Sequence, residues 1–244
     1  MIEVKNIKKS FLGLSQPVID NISLSLKKGD FCVIIGANGC GKSTLLKLIN
    51  KDYTIDSGSI AVNGSISQVW QDVNLGTIAQ MNILENIALN CIIKPKFLFY
   101  SRYKNEVIKQ ITQLNIGIEK YLYTPLKNLS GGQRQMIATL MAVHAKNNIL
   151  LLDEHTSALD PNMQNILMRY TDEQIQKHYL TTIMITHKMD DAIKYGNRLI
   201  MMHKGKIVFD VSNEEKKSLK VNDLLNLFHS YEDTTLVSGA KNEH

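Results

Sequence analysis

Residues Gly36-Ala37-Asn38-Gly39-Cys40-Gly41-Lys42-Ser43-Thr44 fit the pattern G-x-x-x-x-G-K-[ST] of a phosphate-binding loop. The motif needs a strand before it and a helix after it. Phe31-Cys32-Val33-Ile34-Ile35 is a short apolar run of the kind a doubly covered parallel strand shows, and Thr44-Leu45-Leu46-Lys47-Leu48-Ile49 opens a helix. The residue types match the chemistry. Glycines let successive backbone N–H groups turn toward one anion, and the helix N-terminus adds partial positive charge. Lys42 brings a mobile cation for the β- and γ-phosphates, and the Ser43 hydroxyl is a hard oxygen donor suited to Mg2+.

Working outward, the flanking sequence predicts an α/β protein. Ile2 to Phe11 alternates like a strand, as do Ile22, Leu24 and Leu26. Phe11 follows the first strand, where an aromatic ring either stacks on a nucleobase or fills the core. Asn63-Gly64 lies between apolar runs and predicts a tight hairpin. From about Asn74 to Asn148 the pattern becomes helical. Asn82 and Glu85 have capping-box spacing, Val107, Ile108, Ile111 and Leu114 recur at helical intervals, and Leu129-Ser130-Gly131-Gly132-Gln133 opens another helix.

Apolar strands then return. Ile149-Leu150-Leu151-Leu152-Asp153-Glu154 ends in two carboxylates, at the end of a parallel strand where ligands gather. Thr181 to Thr186 is a second apolar strand, followed by His187. Leu199 to Phe209, with Lys204-Gly205 between, predicts a hairpin. Val221, Leu224, Leu225 and Phe228 predict a short amphipathic helix, and the polar residues from about Glu232 predict a loose tail.

Composition sets limits. The chain has 244 residues, 44% of them hydrophobic, enough for one large domain with sub-domains. Nothing approaches the roughly 18 consecutive apolar residues of a spanning helix, and the N-terminus lacks the apolar stretch of a signal peptide. Cys32, Cys40 and Cys91 have no paired spacing, so neither a disulfide framework nor a zinc site is expected. A net charge of +5 with interspersed signs reads as an ordinary mildly basic surface, with attraction to an anionic membrane face or a nucleic acid as the alternatives.

Together these pieces resemble the ATP-binding cassette family, the ATPase subunits of ABC transporters, over about residues 1 to 230. The likeness rests on the phosphate loop, Leu129 to Gln133, Leu152-Asp153-Glu154, Ser157-Ala158-Leu159-Asp160 and His187, in that order. It implies a RecA-like P-loop core with an antiparallel β subdomain (1–73 and 149–212), a helical subdomain (74–148), a C-terminal helical segment (213–230) and a flexible tail (231–244). ATP would contact Phe11, residues 36 to 44, Gln71 and Ser130 to Gln133. Mg2+ would take Ser43, Gln71 and Asp153 as ligands. Glu154 would orient the attacking water, His187 would contact the γ-phosphate, and Lys42 would neutralise charge.

Because one chain carries one loop and one Ser130 motif, the likeness implies a head-to-tail homodimer. It also implies a peripheral position on the cytoplasmic membrane face, an integral permease whose helix docks near Trp70, Leu75, Ile78, Met81 and Ile83, and a substrate-binding protein. No nucleic-acid partner is expected. His155 departs from the Pro or Ala frequent at that position. With the residues from Gly196 to His203 and Glu214-Glu215-Lys216-Lys217, it points to an importer branch with some members linked to tryptophan or tyrosine. An exporter or lipoprotein-release ATPase, or an iron–sulfur assembly ATPase, is the alternative. The presence of Lys42, Asp153, Glu154 and His187 argues against an inactive cassette.

Overall fold

In the computed structural model, residues 1–91 and 103–239 are described. In chain order the elements are β1 (Ile2–Lys9), β2 (Ile19–Leu26), β3 (Phe31–Ile35), α1 (Lys42–Ile49), β4 (Ser57–Val62), β5 (Ile66–Val69), α2 (Ile83–Cys91), α3 (Lys104–Thr112), α4 (Gly131–His144), β6 (Ile149–Asp153), α5 (Pro161–His178), β7 (Thr181–Ile185), α6 (Met189–Lys194), β8 (Arg198–His203), β9 (Lys206–Ser212), α7 (Asn213–Ser218) and α8 (Val221–Gly239). Backbone contacts group these into two units, Met1–Asn63 with Ile183–His244, and Gly64–Thr182.

In the first unit, β1 is the middle strand of an antiparallel sheet ordered β2-β1-β4. Ile2, Val4 and Ile7 of β1 are all buried, although Val4 and Ile7 are three apart and strict alternation would turn one of them outward. A bulge resolves this. Asn6 takes φ +47, the register shifts between Val4 and Ile7, and the Asn6 N–H donates to Ser23 Oγ at 2.9 Å. The extra residue returns Ile7 to the buried face opposite Ile22.

The same unit holds β3, buried along its whole length and paired parallel with β8, which pairs antiparallel with β9. Burial on both faces explains the unbroken Phe-Cys-Val-Ile-Ile run. The thiol of Cys32 lies inside it, and burial pushes its pKa up to about 12. Lys204 and Gly205 turn β8 into β9 with φ +46 and +76, the two left-handed positions of a type I′ hairpin, as expected from their sequence.

The Asn63-Gly64 hairpin does not form. The edge of β4 is taken by β1, with the Asn63 N–H donating to the Met1 carbonyl at 2.9 Å, and β5 pairs parallel with β6. Asn63-Gly64 is therefore a link between sheets: both neighbouring strands found partners elsewhere, which a local turn signal cannot anticipate.

The second unit packs α2, α3, α4 and α5 with β5 and β6. Its helix starts follow the sequence. The Asn82 Oδ1 accepts from the Glu85 N–H at 2.9 Å, while Glu85 Oε2 accepts from the Asn82 N–H at 2.8 Å, closing the expected capping box. α8 runs to Gly239, and no glycine or proline interrupts the chain between Val221 and that residue; the end of the expected loose tail, 240–244, lies outside the described residues. Cys91 closes α2.

Candidate functional site

In the first unit the glycine loop joins the end of β3 to the start of α1. Its shape is fixed by close approach. A Cβ on Gly36 would lie 2.3 Å from the Met202 carbonyl oxygen, and one on Gly41 2.6 Å from that of Val18, with φ +149 and +105. Only glycine fits either place. The Lys42 side chain is buried and its ammonium donates to the carbonyls of Gly36 and Ala37, at 2.8 and 3.0 Å. The cation is thus drawn back over the loop, directly beside the backbone that would cradle a phosphate chain. Ala37 is half-buried, Asn38 and Gly39 are exposed, and Ser43 and Thr44 are half-buried in the first turn of α1. Cys40 is buried, and burial raises its thiol pKa although Lys42 pulls the other way.

His187 is exposed just beyond β7. The loop carrying it is held by the Thr186 N–H on the Ile34 carbonyl (3.3 Å) and the Lys188 N–H on Thr186 Oγ1 (3.1 Å). A cavity of about 230 Å³ joins Gly36, Ala37, Asn38, Thr186 and His187 with Phe228 of α8. The loop and His187, distant in sequence, therefore face one space.

Phe11 is half-buried. Its ring meets Tyr53 edge-on with centroids 5.4 Å apart, and Lys9 lies 5.4 Å from the Phe11 centroid. The ring is packed against Tyr53 and is not enclosed. Tyr53 went unnoticed in the sequence: an isolated tyrosine after a helix carries no periodic signal.

In the second unit, Asp153 ends an all-buried strand and is itself 5% exposed. Glu154 follows at φ +50, a left-handed conformation costing a non-glycine residue about 1 kcal/mol or more. The Glu154 carbonyl accepts from the Ser157 N–H at 3.0 Å. Gln164 of α5 pins the next segment, donating from Nε2 to the carbonyls of Thr156 and Leu159 at 3.0 and 2.8 Å. Asp160 caps α5, accepting from the N–H groups of Asn162 and Met163. Gln164 was missed as well, because a glutamine inside a helix looks like a solvated position. His155 is 1% exposed with no hydrogen-bond partner for Nε2 among the described residues, and burial lowers its pKa to about 4, so it packs as a neutral ring.

The Ser130 motif forms a complete capping box. The Gln133 N–H donates to Ser130 Oγ at 3.2 Å, and Gln133 Oε1 accepts from the Ser130 N–H at 3.0 Å. Ser130 and Gly131 are exposed, while Gly132 is half-buried. Gln71 is exposed in the loop after β5. A second cavity, of about 240 Å³, lies within this unit between Gln68, Trp70, Val73, Gly76, Ala138 and Met141. The Gln68 amide is buried and makes no hydrogen bond among the described residues. Of the expected docking residues, Leu75 and Ile78 are 66% and 46% exposed, but Ile83 is fully buried and belongs to the core. Helical spacing places Ile83 on the inward face of α2, which the sequence alone did not distinguish.

An apolar strand, a glycine loop with its buried lysine and a helix start define a nucleoside-triphosphate-binding protein of the phosphate-loop class. The family model described as "ABC transporter" matches residues 19–157, and the chain belongs to that family as its ATP-binding, ATP-hydrolysing subunit. A tyrosine transport ATP-binding protein of Clostridioides difficile is 37% identical, over 93% of this chain and 98% of its own. An osmoprotectant import ATP-binding protein of Salmonella typhimurium is 30% identical over 93% of this chain, which spans 63% of that relative. Among solved structures, the dimeric bacterial ABC transporter cassette MJ0796 superposes with a TM-score of 0.77 at 25% identity, covering 87% of this chain and 98% of that one. A post-hydrolysis dimer of MJ0796 bound to ADP and Pi superposes equally well, at 23% identity. The fold is the α/β cassette that the sequence predicted. No helix among the described residues is long and apolar enough to cross a membrane.

Proposed function

We propose that this ATPase drives import of a small solute, an aromatic amino acid such as tyrosine, as a pair of copies bound to a membrane permease. The observation that carries the reading is the Lys42 ammonium held on the carbonyls of Gly36 and Ala37, in a loop whose exposed N–H-bearing residues face the same cavity as His187. A phosphate chain entering that loop gives Lys42 a better partner than two neutral carbonyls. The long alignment with a tyrosine transport ATP-binding protein, which matches the chain almost end to end, supports the cargo class.

Ser43, Gln71 and Asp153 supply only hard oxygen donors, and Asp153 is a carboxylate kept in a buried place, so this donor chemistry suits Mg2+. When bound, that ion neutralises charge on the phosphate oxygens. Glu154 orients the attacking water, its backbone held in a left-handed turn that fixes where the carboxylate starts. His187 contacts the γ-phosphate. The exposed Ser130 and Gly131, at a capped helix start, receive the nucleotide held by the second copy. The dimeric MJ0796 cassettes support this pairing. ATP then closes the pair and hydrolysis releases it, so binding energy shifts a two-state equilibrium. The cavity beside Trp70 and the exposed Leu75 and Ile78 accept a short helix of the permease.

Uptake of labelled tyrosine and tryptophan in a deletion strain, complemented with wild type or Glu154→Gln, tests the cargo. Restoration by wild type alone is expected, and unchanged uptake of both after deletion overturns the cargo assignment. On a sizing column, Glu154→Gln with ATP is expected to run as a dimer, and a monomer at every concentration overturns the pairing. Met81→Glu is expected to abolish uptake while sparing ATP hydrolysis.

A further inference from the structure

The C-terminal helix α8 bears on the nucleotide loop in a way that the known family motifs do not cover. Leu224, Phe228 and Tyr231 lie at i, i+4 and i+7, along one face. The two outer members are anchors. Leu224 is fully buried, and the Tyr231 hydroxyl donates to the Val208 carbonyl of β9 at 3.1 Å, with its ring 5.8 Å from that of His203. Between them Phe228 is half-buried and forms a wall of the cavity shared by Gly36, Ala37, Asn38 and His187. Anchors on both sides leave this ring little freedom.

We propose that Phe228 is a positioning residue for ATP hydrolysis. Its ring limits the rotamers open to the exposed His187 imidazole and shields one side of the space into which the loop residues Ala37 and Asn38 open. Keeping the imidazole near one rotamer saves ordering entropy when the γ-phosphate arrives. Met189, two residues beyond His187, lines the same cavity. The inference rests on the reading of His187 as a γ-phosphate contact.

The test uses the full-length chain with steady-state ATPase kinetics, ADP affinity by calorimetry and thermal melting, for Phe228→Ala, Phe228→Tyr, Tyr231→Phe and His187→Ala. Phe228→Ala is expected to lower kcat about tenfold or more, with ADP affinity and Tm little changed. Phe228→Tyr, which restores the ring, is expected to recover most of kcat, and Tyr231→Phe to stay close to wild type. Unchanged kcat in Phe228→Ala alongside an inactive His187→Ala overturns the Phe228 role alone. Full activity in His187→Ala overturns the underlying reading of His187. A kcat loss in Phe228→Ala that tracks a large fall in Tm, with no rescue by Phe228→Tyr, also overturns the proposal.

Discussion

The Gly205 N–H donates to the Cys40 carbonyl at 3.0 Å, so the tip of the β8–β9 hairpin is tied to the middle of the phosphate loop. The Gly205 carbonyl in turn accepts from the Asp20 N–H at 2.9 Å. The turn is thereby a brace between β2 and the loop, beyond its role of reversing the chain. Gly205→Val forces a β-branched residue into φ +76 and brings a Cβ within 2.7 Å of the Val18 carbonyl oxygen. The backbone must move, at a cost of about 1–3 kcal/mol. Lower Tm and a several-fold higher KM for ATP are expected together, whereas Lys204→Gly, at the other left-handed position, should keep both near wild type. A Gly205→Val protein with a reduced Tm but an unaltered KM would show that hairpin and loop are independent.

Ser130 has two jobs that differ in magnitude. As the N-cap of α4 it is worth about 1 kcal/mol, which for a chain of this size lowers Tm by roughly 2–4 °C. As a group facing a second copy's nucleotide, its loss should abolish most hydrolysis. Ser130→Ala is therefore expected to melt only slightly lower while losing nearly all ATPase activity. Melting curves and turnover on the same preparation separate the two roles, and activity that falls only in proportion to stability would leave the cap as its one function.

Sequence was most informative where a motif is short and its geometry local. The glycine loop, the capping box at Asn82, the helix start at Ser130 and the Lys204-Gly205 turn are each settled within a few residues. It misled where partners lie far along the chain. Asn63-Gly64 looks like a hairpin, yet β4 pairs with β1 and β5 with β6. Lys216, whose Glu-Glu-Lys-Lys run carries no sign of burial, is 2% exposed, and its ammonium donates to the carbonyls of Tyr195 and Gly196. Gln164 and Tyr53 earned no notice, and Phe228 only as one member of a helix face, because their roles depend on what the fold sets against them, and neither spacing nor composition records that.

The Phe11–Tyr53 contact can be measured by a double-mutant cycle. An edge-to-face pair is worth about 0.5–1.5 kcal/mol beyond area. If Tyr53 holds Phe11 ready for the base, Phe11→Ala, Tyr53→Ala and the double variant should all raise the KM for ATP, with the double variant little worse than Phe11→Ala alone. Strict additivity in KM would mean that the rings act separately. A KM indifferent to Phe11→Ala would assign that ring to packing.

Stability should depend on pH through His144. Its Nε2 lies 2.6 Å from the Tyr170 hydroxyl, and its ring meets that of His178 edge-on at 6.4 Å. Burial lowers its pKa to about 4, helped by the nearby charges of His178 and Lys177 and opposed by Glu106. An unfolded histidine titrates near 6.5. Between these values the unfolded chain binds the proton more readily than the folded one, so stability rises with pH across this window. It is progressively lost as pH falls from about 6.5 toward 4, and His155, whose pKa burial also lowers to about 4, adds with the same sign. His144→Gln removes one of the two groups. Its Tm should fall less than that of wild type between pH 7.5 and 5, while the two curves run parallel above pH 7.5. Identical slopes below pH 6.5 would show that the Tyr170 pairing holds no proton-linked free energy.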